Sequence, residues 1–103
     1  MNRIGLNYHG KNIEYIHVDP EHATWRSYKG IVYDKYSDFP RYIPAAMKRI
    51  ELLPMEKIEK NLIYDHPGVE EIVIAAGTKY IEAWAVENCP NLKYVYIPLQ
   101  TKY

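Results

Sequence analysis

Few residues of this chain are spaced to do chemistry on their own. Asp19-Pro20-Glu21-His22, with His17 just upstream, gathers the carboxylate and imidazole donors of a divalent-metal site. Its proline-containing spacing matches no ligand geometry, so a solvated turn is the expected structure. Glu70 and Glu71 form a carboxylate pair. Adjacent strand residues point to opposite faces, so these two cannot work as acid and base by themselves. Cys89 is the one cysteine, which excludes an internal disulfide and a cysteine-based zinc site. No histidine is held beside it by sequence, so a catalytic thiol is not expected. The five glycines are isolated and form no phosphate-cradling loop. Arg41, Lys48 and Arg49, interleaved with Tyr36 and Tyr42, combine charge and stacking surface as a single-strand nucleic-acid site would. The 13 Lys and Arg are balanced by 13 Asp and Glu, and Asp34, Asp38 and Glu51 lie close by. That balance argues against nucleic acid as the partner. The chain is therefore expected to have no catalytic residue, no cofactor and no metal.

Tyrosine is the composition's signal, with eleven against a single phenylalanine among 103 residues. Tyrosine supplies large amphipathic contact area and favours strands. Its use here depends on the elements that display it. Arg3-Ile4-Gly5-Leu6-Asn7-Tyr8 and Ile13-Glu14-Tyr15-Ile16-His17-Val18 flank a turn at His9-Gly10-Lys11-Asn12, which predicts an opening β-hairpin. Short strands are predicted at 31–33, 50–53, 72–74 and 95–97, several of them stopped by proline. Met55, Ile58, Leu62 and Ile63 fall at helical spacing over 55–64, and Ile81, Trp84 and Ala85 do so in a shorter turn.

A three-position apolar pattern, Φ-x-x-Φ-x-Φ, fits at Ile13/Ile16/Val18, Tyr28/Ile31/Tyr33, Met47/Ile50/Leu52, Val69/Ile72/Ile74 and Leu92/Val95/Ile97. If the Φ positions face inward, the intervening residues line an outer sheet face. That places Tyr15, His17, Arg49, Glu51, Glu71, Val73, Tyr94 and Tyr96 together as the candidate protein-binding residues. Gly30 and Val32 fall in the same column.

Ile81, Ala85, Asn88, Cys89, Leu92, Val95, Ile97 and Pro98 resemble the repeat of the BspA-like bacterial leucine-rich-repeat family. Residues 16–19 and 28–35 resemble that family's variant coil. The resemblance covers 13–35 and 69–98, while 36–68 agrees in spacing only. It implies an α/β fold: a short right-handed leucine-rich-repeat solenoid, its short strands alternating with short helices or turns. The expected organisation is one domain over 1–103, with a hairpin cap at 1–18 and repeat coils over 13–98. Stacked coils would bury a continuous apolar column, with Asn88 and Cys89 satisfying the turn they close.

The expected function is non-enzymatic protein–protein recognition through the solenoid's sheet face. A second reading is a small phage- or mobile-element-encoded inhibitor that blocks a bacterial enzyme by binding. An uncovered C-terminal edge would favour a homodimer through that edge. No apolar run approaches the roughly 18 residues of a membrane span, and no signal-peptide core follows Met1, so a cytoplasmic protein without membrane contact is expected.

Overall fold

The computed structural model describes residues 11–99. Its first sheet is built on a tight hairpin. β1 (Trp25–Tyr28) and β2 (Ile31–Asp34) pair antiparallel through Lys29 and Gly30, both with positive φ, at 48° and 86°. Two successive left-handed residues match the right-handed twist of the flanking strands, and Gly30 adopts that conformation without a side-chain penalty. β3 (Pro40–Tyr42) adds to β2 across an irregular register and closes a three-stranded sheet in the order β1-β2-β3.

The rest of the chain pairs in parallel. β4 (Arg49–Glu51), β7 (Glu71–Val73) and β10 (Tyr94–Tyr96) form a sheet in the order β10-β7-β4. Ile50, Ile72 and Val95 are register partners. β5 (Lys57–Ile58) pairs with β8 (Tyr80–Ile81), and β6 (Ile63–Tyr64) pairs with β9 (Val86–Glu87).

The core lies where these sheets face one another. Met47, Ile50, Leu52, Ile58, Ile63, Val69, Ile72 and Ile74 are buried there, joined by Ile31 and Tyr33 from the hairpin. The buried imidazole of His66 is tied in place. His66 accepts the Val69 N–H at Nδ1 (3.0 Å), and its Nε2–H donates to the Pro44 carbonyl (2.8 Å). Gly68 permits a close approach beside it, since a Cβ there would lie 2.7 Å from the Ala45 carbonyl oxygen.

The expected α/β leucine-rich-repeat solenoid is overturned. The described residues contain no helix, and their ten strands divide among four small sheets, none of which forms a solenoid. The fold is all-β. Both predicted helices fail for one reason: their backbone groups bond to another segment rather than four residues along. Asn61 N–H donates to Trp84 C=O (2.9 Å), Ile63 N–H to Ala85 C=O (3.1 Å) and Glu82 N–H to Ile58 C=O (2.9 Å). Asn61, Asp65, Trp84 and Asn88 have positive φ, which turns the chain at corners where a helix would have run on. Met55, Ile58 and Ile63 are buried all the same, because successive corners return them to the interior.

The hairpin cap expected over 1–18 is also corrected where it is described. Residues 13–18 form no strand; Ile16 N–H donates to Gly30 C=O and Ile13 C=O accepts from Ala46. The first arm of that hairpin lies outside the described residues. Among the described residues, no helix is long and apolar enough to cross a membrane.

Candidate functional site

Parallel register decides which side chains meet on the outer face of the β4-β7-β10 sheet. Arg49, Glu71 and Tyr94 form one row across it, and Glu51, Val73 and Tyr96 form the next. Neighbouring strands stand about 4.8 Å apart, so each row is a ladder of touching side chains. Arg49 spans the ladder: its Nη1 lies 2.6 Å from Glu71 Oε1 and its Nε 2.9 Å from Glu51 Oε2. Lys29, from the β1–β2 turn, donates to the other oxygen of Glu51 at 2.9 Å. The result is an alternating chain of charge, Lys29–Glu51–Arg49–Glu71.

These contacts bias the ionised forms. The Lys29 hydrogen bond, then that of Arg49, holds the Glu51 carboxyl below the usual carboxylate range. Arg49 is raised by its bonds to Glu51 and Glu71, and Lys29 by its bond to Glu51. The groups are solvent-facing, so the network does little for stability and much for side-chain orientation.

Tyr94 and Tyr96 continue the rows onto β10, each about half exposed. Tyr15 flanks the opposite end. With Glu14, Lys29, Met47, Arg49 and Glu51 it lines an open groove of about 430 Å³. Its ring approaches Gly30 so closely that a Cβ there would stand 2.6 Å from Tyr15 Cδ2. Seven of the eight sequence-predicted residues thus lie on or beside one face.

His17 does not. It lines a separate hollow with Ile16, Val18, Asp19, His22, Trp25 and Val32. Gly30 and Val32 are buried in the antiparallel hairpin rather than displayed. Lys29 is the residue that sequence reasoning missed. Its position opposite Glu51 exists only once the hairpin turn packs against β4.

The other chemical candidates are absorbed locally. His22 Nδ1 accepts the N–H groups of Thr24 (3.1 Å) and Trp25 (3.0 Å), and its ring stacks on Trp25. Asp19 accepts the Glu21 N–H within the same turn. Among the described residues, no group of three His, Cys, Asp or Glu side chains is placed to hold a metal ion. Glu70 faces Lys48 and Lys93 across 3.9 Å, while Glu71 belongs to the charged ladder. The Cys89 thiol is turned toward the carbonyls of Glu87 and Ile63. Asn88 donates from its side chain to Asp65, tying two left-handed corners together.

Comparison with protein-family models, with curated proteins and with solved structures gave no match.

Proposed function

We propose that this protein is a non-enzymatic recognition module that binds a protein partner through the outer face of the β4-β7-β10 sheet. The observation that carries the reading is the exposed pair Tyr94 and Tyr96 in register with a pre-ordered charged ladder. Buried tyrosine and arginine anchors dominate the energetics of protein interfaces. Here the guanidinium of Arg49 is already held by two carboxylates, so little side-chain entropy remains to be lost on docking. A double Tyr94→Ala, Tyr96→Ala variant, shown to be folded by circular dichroism, is expected to lose a partner that the wild type retains. Undiminished capture of the same partner by the folded variant would remove this face from the reading.

A second reading concerns the edge of the same sheet. Val95 shares the register of the fully buried Ile50 and Ile72 yet is 40% exposed, and β10 is the sheet's terminal strand. Antiparallel pairing of β10 with β10 of a second copy would cover Val95 and satisfy its outward backbone groups. Sedimentation equilibrium at rising concentration is expected to give a dimer that Val95→Lys abolishes. A strict monomer at high micromolar concentration would eliminate it.

A further inference from the structure

Twice in this molecule a cation lies over a tyrosine ring while a carboxylate holds it. The Arg26 guanidinium stands 5.7 Å from the centre of the Tyr33 ring, and its Nη2 lies 3.2 Å from Asp38. The Lys29 ammonium stands 5.7 Å from the centre of the Tyr28 ring and 2.9 Å from Glu51. Both fall within the ~6 Å over which the negative face of an aromatic ring attracts a cation.

The outer face of the β4-β7-β10 sheet sets a third carboxylate beside a third tyrosine. Glu71 and Tyr94 are register partners on adjacent parallel strands. Residues paired in this way project side by side from the same face. The alternating chain of charge that starts at Lys29 ends on Glu71. Glu51 has both oxygens bonded, one to Lys29 and the other to Arg49. The Glu71 carboxylate has one oxygen bonded to Arg49, and no other group engages it among the described residues. Its side chain is 44% exposed. Tyr94 is 52% exposed, and neither its ring nor its hydroxyl has a partner among the described residues. Lys93, next to it in sequence, lies 3.9 Å from Glu70 instead.

We propose that Glu71 and Tyr94 receive an arginine side chain of the protein partner, a site that rests on this sheet face being the recognition surface. The guanidinium donates to the second oxygen of Glu71 and lies on the Tyr94 ring, becoming the next positive member of the alternating chain. Arginine suits the pair better than lysine, because its flat and weakly hydrated head stacks and hydrogen-bonds at the same time. Arg49 holds the carboxylate from its other side at 2.6 Å, so the acceptor is oriented before the partner arrives. Tyr96, half exposed two residues along the same strand, offers further contact to the residues that flank the arginine. Glu87 and Tyr64 are another carboxylate–tyrosine register pair, but no ion pair orients that carboxylate among the described residues.

The test titrates the full-length protein with the blocked tripeptides Gly-Arg-Gly, Gly-Lys-Gly and Gly-citrulline-Gly and follows amide NMR shifts. Citrulline keeps the shape of arginine without its charge. The arginine peptide is expected to shift the amides of Glu71 and Tyr94, and to bind at least about threefold more tightly than either counterpart. Glu71→Gln and Tyr94→Ala should each weaken it at least about threefold, whereas Tyr94→Phe, which keeps the ring, should not. Equal binding of the arginine and citrulline peptides, or of the arginine and lysine peptides, would overturn the proposal. Unchanged affinity in Glu71→Gln, or shifts centred on Tyr64 and Glu87, would overturn it too. A partner lost by the folded Tyr94→Ala, Tyr96→Ala variant but fully retained by Glu71→Gln would leave the recognition face standing and overturn the arginine site alone. Undiminished capture by both variants would remove the face and the arginine site with it.

Discussion

Tyr33 shows how one side chain joins two sheets. It is fully buried on β2, and its hydroxyl accepts the Leu53 N–H at 3.0 Å. Burial pushes its phenol above the ordinary value of 10.0, against the opposing influence of the Leu53 hydrogen bond. A folded-state value raised above the unfolded one gives stabilisation that is complete below the unfolded value. It is lost as pH rises through the folded value. Burial raises the Tyr42 phenol as well, so alkaline unfolding is expected above about pH 10, with the late phenolate absorbance of both tyrosines coinciding with loss of the circular-dichroism signal. Tyr33→Phe should reduce that late absorbance by one phenolate, leaving that of Tyr42, and cost about 1–2 kcal/mol in urea denaturation, since Leu53 N–H loses its acceptor. A fold that persists with every tyrosine ionised would refute this. His66 makes a comparable link, and His66→Ala should cost about 2–3 kcal/mol by leaving a buried N–H and carbonyl unpaired. Neither link between distant segments was visible in the sequence, because Leu53 lies 20 positions from Tyr33 and Pro44 lies 22 from His66.

Elements were legible where apolar residues cluster next to a proline or glycine. The strands expected at 31–33, 50–53, 72–74 and 95–97 overlap β2, β4, β7 and β10. β1 was missed, since Trp-Arg-Ser-Tyr has no regular alternation and is extended by pairing with β2. The helix expectations failed because spacing of three to five residues also arises when a chain turns sharp corners around a core. Position within the parallel sheet also sets the energetics. Ile72, central and fully buried, should lose about 3–4 kcal/mol on replacement by alanine. Val95→Ala, in the same register on the outer strand, should cost less than about 1 kcal/mol in the monomer. Chemical denaturation of both variants checks this, and equal losses would show that β10 is covered in solution.

At the scale of the whole molecule, each parallel pairing closes a loop of 22 or 23 residues. Such non-local pairing must meet loop-closure entropy before it gains hydrogen bonds and burial. Folding is expected on the millisecond-to-second scale, of order 1–1000 s⁻¹, followed in stopped flow by tryptophan fluorescence. Trp25, half-buried against His22, supplies a probe inside the first sheet. Seven prolines make a minor slower phase of tens of seconds the expected accompaniment. Microsecond folding would contradict a core assembled from distant segments.

By itself, the sequence determined many of the apolar positions that fill the core and four of the ten described strands, β2, β4, β7 and β10. It also determined the outward residues of the parallel strands, because alternation along a strand is local. Tertiary structure decided the rest. It replaced two helices with paired corners, since a backbone group takes whichever partner the packed chain presents. It brought Lys29 to Glu51 and turned His17 away from Tyr15, because a loop's direction depends on the body it packs against.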